Sequence, residues 1–276
     1  MNEAKKICLI TGASAGIGKA TAIALAKEGN IIILLVRDSD KSRAACDEIK
    51  AESGNADIHL HYAELSSMDS IRKVAEEISN KYLHIDILIN NAGVLKRNAE
   101  LSADGFEMTY AVNVIAPFLL TNLLLPLIEK SVSGRIINLT SELYKKGKIN
   151  FEDFSSLEKF DGSKAYASSK LMVVLNTLTL AKKLKDTDVT VNSVHPGVVG
   201  TDVMRDYPRW VGKLINPFLS KPEVGAGPSI FLATSPELAK TTGKYYAKMK
   251  QTPVTEVAAN YATADQVWEF CEKITA

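Results

Sequence analysis

The pentapeptide Tyr166-Ala167-Ser168-Ser169-Lys170 sets a phenol and an ammonium four residues apart, which on a helix is one turn along one face. A phenol titrates at about pH 10 and is a poor proton carrier at neutral pH, but an adjacent cation favours the phenolate and lowers that value. Ordinary amphipathic helices carry the same spacing, so the neighbouring residues decide its meaning. Ser141 stands twenty-five residues upstream, just past the run Arg135-Ile136-Ile137-Asn138-Leu139. Its hydroxyl can donate to a carbonyl oxygen that gains negative charge, and a helix cap is its other reading. Asn113 is a polar amide in the otherwise apolar Tyr110-Ala111-Val112-Asn113-Val114, where burial demands a hydrogen-bond partner.

A second constellation lies at the start of the chain. The apolar run Ile7-Cys8-Leu9-Ile10 is followed by Thr11-Gly12-Ala13-Ser14-Ala15-Gly16-Ile17-Gly18 and then by a helical pattern. Gly12 allows a tight turn out of a strand, Gly16 lets backbone N–H groups approach a pyrophosphate, and Gly18 lets the helix pack close to the sheet. The spacing is not the common G-x-G-x-x-G.

These groups need a scaffold that brings them together, and the chain supplies an alternating one. The continuous apolar run Ile31–Val36 predicts a parallel strand covered on both faces, Ile58–Tyr62, Ile85–Ile89, Arg135–Leu139 and Val189–Val194 read as further strands of the same sheet, and Gly243–Lys248 as a seventh. Between them lie helical patterns at about 40–52, from the Ser66-Ser67 cap to about 81, at about 102–130 with Pro117 and Pro126 bending or interrupting it, and at about 163–185. Such alternation argues for an α/β doubly wound sheet. Ligands of such sheets bind beyond the carboxyl ends of the strands, where Thr11 to Gly18, Arg37, Glu64, Asn90 to Gly93, Thr140-Ser141 and His195-Pro196-Gly197 all fall.

Taken together, the three glycines, Asn90-Asn91-Ala92-Gly93, Asn113, Ser141, Tyr166, Lys170 and Pro196-Gly197 with Thr201 resemble the short-chain dehydrogenase/reductase family in order and spacing, over nearly the whole chain. The resemblance implies a Rossmann-type sheet of about seven strands in a single domain, 1–276. It also implies an NADP(H)-dependent oxidoreductase that moves hydride between the nicotinamide and a carbonyl or alcohol carbon of a small molecule. In that family the Tyr is the general acid/base, the Lys lowers its pKa and binds the nicotinamide ribose, the Ser orients the carbonyl and the Asn holds a water; these roles fall on Tyr166, Lys170, Ser141 and Asn113. The implied cofactor contacts are Gly12, Ser14, Gly16, Ile17, Gly18, Arg37, Glu64, Leu65, Asn91, Ala92, Gly93, Tyr166, Lys170, Pro196, Gly197, Val199 and Thr201. Glu64 stands where the family usually has Asp. NAD-specific members carry an acidic residue at the position held here by Val36, and Arg37 instead suits a 2′-phosphate, with Asp38 as a complication. Homodimers or homotetramers through the two long helices are expected.

Ala103-Asp104-Gly105-Phe106-Glu107, Val194-His195-Pro196-Gly197-Val198-Val199 and Val267-Trp268-Glu269 are most similar to the retinol dehydrogenase-like branch. Membrane-bound members of that branch have an N-terminal anchor not seen here, so neither a membrane location nor a retinoid substrate is carried over. Two rival readings are a nucleotide-sugar epimerase or dehydratase, whose usual glycine spacing and larger C-terminal domain are missing, and a catalytically idle NADP(H) sensor, against which Ser141, Tyr166 and Lys170 weigh.

The remaining segments and the composition narrow the reading. Residues 202–222 are long for a connection and read as a lid, with Met204, Tyr207 and Trp210 contacting a lipophilic substrate together with Ser141 and Tyr166. The other reading is a helix whose apolar face packs on the domain. A net charge of +1 from 33 basic and 32 acidic residues gives no field for nucleic acid or an anionic membrane. Cys8, Cys46 and Cys271 show no paired or metal-ligand spacing, and His59 and His61 lack a third ligand, so a cytoplasmic protein without metal is expected.

Overall fold

The computed structural model describes residues 5–155, 157–158, 160–198 and 220–276. Its strands are β1 (Ile7–Thr11), β2 (Ile31–Val36), β3 (Ile58–Tyr62), β4 (Ile87–Asn90), β5 (Arg135–Leu139), β6 (Thr190–His195), β7 (Tyr245–Ala247) and β8 (Lys250–Gln251). They form one sheet in the order β3-β2-β1-β4-β5-β6-β7-β8, parallel as far as β7 and antiparallel for β8. β1 pairs with both β2 and β4, so the winding direction reverses beside it and a crevice opens at its carboxyl end.

Strand periodicity sends alternate residues of the central strands into two separate cores. Leu9, Ile33, Leu88 and Ile136 enter one core, while Cys8, Ile10, Ile32, Ile87 and Ile137 enter the other. Helices α1 (Gly16–Lys27), α2 (Asp40–Ser53) and α6 (Pro222–Thr234) cover the second. Helices α3 (Met68–Lys81), α4 (Met108–Ile128), α5 (Gly162–Lys183) and α7 (Tyr261–Thr275) cover the first. The predicted cap holds, with Ser67 accepting from Ser70 N; Ser39 likewise accepts from Ser42 N, and Gly54 ends α2 at φ 68°.

Several boundaries differ from expectation. α4 starts at Met108, because the Glu107 carboxylate accepts from Thr109 N and Tyr110 N and so caps it there. Its prolines do not divide it; a π-helical turn at Ala111–Ile115 comes just before Pro117, and Pro126 lies within the following α-helical part. The seventh strand is shorter than 243–248, since Gly243 and Lys248 at its ends have positive φ, and the two-residue loop Lys248-Met249 adds the eighth strand. α4 is the one described helix long and apolar enough to cross a membrane, and most of it is buried in the fold.

The C-terminal helix α7 adds a layer onto the two long helices. It packs along α5, with Trp268 edge-on to Phe118 of α4 at 4.7 Å between centroids and Lys183 over its ring at 5.2 Å. That side of the two long helices is therefore covered from within the chain.

Arg135 ties the central sheet to α6. Its buried guanidinium donates to the carbonyls of Leu232 and Ser235, each at 2.9 Å, closing the carboxyl end of that helix. Replacing it with Met should strand both acceptors and lower the unfolding free energy by about 2 kcal/mol, read by urea titration.

Candidate active site

The crevice floor is built where two loops meet. Thr11 Oγ1 accepts from Asn91 N at 3.0 Å and Ala92 N at 2.9 Å, while Asn91 Nδ2 donates to Thr11 O at 2.8 Å and Gly12 O at 3.3 Å. The approach leaves no room for side chains. A Cβ on Gly18 would lie 2.5 Å from Asn91 Nδ2 and 2.7 Å from Gly12 O, and Gly12 itself adopts φ 68° with Ala92 only 3.0 Å from such an atom. Gly16, at φ 56°, begins α1.

α1 differs from the other parallel-crossover helices at its amino end. Ala15 gives no capping side chain and the first turn carries no acid, whereas Ser39, Ser67 and Asp161 cap α2, α3 and α5. Its N–H groups and positive dipole end face the crevice between glycines, which fits the pyrophosphate of a dinucleotide.

Tyr166 and Lys170 rise from α5, whose start is capped by Asp161 accepting from Ser163 N and Lys164 N. Lys170 Nζ donates to Leu139 O at 3.0 Å and sits 5.6 Å from the centre of the Tyr166 ring. Gly93 brings the third wall: a Cβ there would be 3.3 Å from Asn113 Oδ1 and 3.4 Å from Lys170 Nζ. Ser141 follows β5, and its reading as a cap holds. It caps the 3-10 turn Glu142–Lys146, accepting from Leu143 N at 3.3 Å, and its hydroxyl also bonds the Tyr166 phenol.

Burial dominates the titration of both groups. It pushes the Tyr166 phenol up to about 12, against the pull of the Ser141 hydrogen bond, and drives Lys170 down to about 8. Burial, opposed by Ser141 and not by Lys170, therefore sets the direction for the phenol.

Asn113 finds the partners its burial requires. Its Oδ1 accepts from Val94 N at 2.8 Å, and its Nδ2 donates to Val94 O at 2.9 Å and Ser169 Oγ at 3.1 Å. With both amide protons engaged, the side chain holds the loop after β4 against α5.

The outlying residues divide. Arg37 is exposed beyond β2 and makes no ion pair among the described residues, while Asp38 and Asp40 are bound by Arg43. Glu64 is exposed and turns its carboxylate onto Ser66 N and Oγ of its own loop, so it does not reach across the crevice. Leu65 joins Thr11, Asn90 and Ala92 around a small cavity, Ile17 is buried under α6, and Ser14 is half-buried in the glycine loop. Pro196 and Gly197 lie at the end of β6, Gly197 at φ 93°. Val199, Thr201, Met204, Tyr207 and Trp210, with the lid up to residue 219, lie outside the described residues. Thr11 was visible in the sequence only as a strand end; nothing in its spacing marks it as the acceptor that joins the two loops.

This fold and crevice match a known family. The short chain dehydrogenase family model covers residues 6–212, and the chain belongs to that family. Its place within it is the retinol dehydrogenase-like branch: it is 39% identical over 272 residues to human retinol dehydrogenase 13, covering 95% of this chain and 82% of the relative. Among solved structures, an uncharacterized protein from Mycobacterium paratuberculosis aligns with TM-score 0.80 at 26% identity, over 99% of this chain and 94% of that one. A short chain dehydrogenase from Salmonella enterica aligns with TM-score 0.72 at 26% identity, over 89% and 96%.

The buried lysine yields a pH prediction. Between about pH 8 and 10.5 the unfolded chain binds the Lys170 proton that the folded chain has released, so stability rises with pH across that window. Below pH 8 the charge destabilises the fold by about 3 kcal/mol. Lys170→Met, which also loses the bond to Leu139, should gain about 2 kcal/mol at pH 7 and show a flatter stability profile between pH 8 and 10.5 in urea titrations.

Proposed function

We propose that this short-chain dehydrogenase interconverts a carbonyl and an alcohol of a lipophilic small molecule using NADP(H), with Tyr166 as the general acid/base. The convergence of Ser141, Tyr166 and Lys170 in one buried corner beyond β5 carries the reading. The nicotinamide, when bound, supplies or accepts the hydride. This chain's residues do the rest. The Ser141 hydroxyl orients the carbonyl oxygen, Tyr166 Oη gives that oxygen its proton in reduction and recovers it in oxidation, and the Lys170 ammonium stabilises the phenolate between the two. Asn113 keeps Gly93 and Lys170 in place through Val94 and Ser169. The uncapped amino end of α1 and the glycine loop would hold the pyrophosphate.

A lipophilic substrate is supported by the name of the retinol dehydrogenase relatives, retinol being an apolar alcohol, and by the composition of the segment holding Met204, Tyr207 and Trp210. The preference for the phosphorylated cofactor rests on Arg37, free of carboxylates at the end of β2 while Arg43 engages Asp38.

With NADPH and nonanal as probes, Tyr166→Phe should lower turnover by about a hundredfold or more while NADPH binding stays within about threefold; near-normal turnover would remove Tyr166 from this role. For the cofactor, wild-type protein should bind NADPH at least about tenfold more tightly than NADH, and Arg37→Ala should erase most of that difference. Equal affinities in the wild type would overturn the preference. Both are read by quenching of protein fluorescence.

A further inference from the structure

The turn that carries Ser141 is clamped at its first residue from two strands. Glu142 N donates to His195 Nδ1 at 3.3 Å, and Tyr245 Oη donates to Glu142 Oε1 at 2.6 Å. Lys145 Nζ meets the other carboxylate oxygen at 2.5 Å. Tyr245 is buried and packs edge-on against buried Tyr144 at 5.1 Å between centroids. Ser193 of β6 pairs with Tyr245 and His195 with Ala247, so Tyr245 and His195 stand on the same face of the sheet, two positions apart. At its far end the turn closes on α5: Lys148 N donates to Ser168 Oγ at 3.1 Å, and a Cβ on Gly147 would lie 2.6 Å from Ala167 O.

An amide N–H is always a donor, so the imidazole nitrogen it meets must be bare and the ring proton must sit on Nε2. Protonated imidazole offers an N–H at both nitrogens and cannot make this bond.

We propose that His195 and Glu142 are positioning residues for Ser141, and that the backbone bond between them holds the serine turn in register only while His195 is neutral. The inference rests on the assignment of Ser141 made above. The clamped N–H belongs to the residue directly after Ser141, so releasing it lets the turn pivot about its anchor on α5 and moves Ser141 Oγ relative to Tyr166. A displacement of that size degrades alignment far more than cofactor binding, because the dinucleotide cradle lies on β1, α1 and β4. Among the described residues the charged groups facing the ring are Glu142 and Lys145, with the Tyr245 phenol beyond the carboxylate. Burial and Lys145 lower the His195 pKa from 6.5 while Glu142 raises it, and burial leads. The clamp therefore holds at neutral pH and fails on the acid side of 6.5.

The test measures kcat and KM with NADPH and nonanal from pH 5 to 8, together with the wild-type tautomer by long-range proton–nitrogen NMR. His195→Ala should lower kcat about tenfold at neutral pH with NADPH affinity within about twofold. In His195→Asn, the side-chain oxygen replaces Nδ1 as an acceptor that does not titrate. It should restore kcat to within about threefold of wild type and remove the acid-side loss. The NMR spectrum should place the His195 proton on Nε2. A proton on Nδ1, an Asn variant no better than Ala, or an acid-side loss that survives in the Asn variant would each overturn the inference. Ser141→Ala separates the two levels: if it leaves kcat intact, the assignment of Ser141 falls and this inference with it. If it abolishes turnover while His195→Ala does not lower kcat, the inference alone falls.

Discussion

The site depends on a lysine amine kept out of water with no carboxylate beside it among the described residues. Lys170 is buried, donates to a main-chain carbonyl of β5, and is driven toward its neutral form by desolvation. A lone buried cation is destabilising unless the rest of the fold holds it in place. The surrounding packing does so. Thr140 Oγ1 donates to Lys170 O, Ser169 bonds both the Tyr166 carbonyl and Asn113, and Gly93 lies close enough that a methyl group would touch the ammonium. Relaxation around the charge would recover stability but let the group wander, and the packing prevents it.

The fold was legible because its layers write directly into the residues. A strand covered on both faces is apolar along its length, and β2 is so throughout, β1 and β4 up to their last residues Thr11 and Asn90. The helix start marked by Ser67 was equally readable, since that hydroxyl satisfies a local N–H group whatever lies around it. What stayed hidden depends on tertiary context. The π-helical turn around Asn113 has no composition of its own, the hairpin into β8 uses Lys248 and Met249 where Gly or Asn would have signalled it, and α7 finds its apolar partner only once α5 is placed.

In the site, local spacing disclosed Tyr166 and Lys170, because helical geometry alone puts them on one face. The glycines were legible for a related reason: close approach excludes side chains, and the absence of a Cβ is written in the residue name. Contacts joining distant loops were not. Nothing in the sequence says that Thr11 accepts two N–H groups from the loop after β4, that Glu64 folds back on Ser66, or that Arg43 takes up Asp38. Each is a choice among several polar partners, settled only by where the sheet places them.

Those choices separate groups that build the crevice from groups able to act in it. Asn113, Asn91 and Thr11 have their donors or acceptors engaged by backbone, which makes them fasteners whose loss would move neighbours. Tyr166 Oη beside Ser141, the exposed guanidinium of Arg37 and the first N–H groups of α1 instead keep unused bonding capacity among the described residues, at or near the sheet's carboxyl edge. A polar group left with unused bonding capacity at such an edge is costly unless a ligand or solvent completes it. The two sets meet at Lys170, which is fixed by Leu139 on one side and faces the Tyr166 ring on the other, so the order imposed by the fasteners reaches the phenol through that side chain.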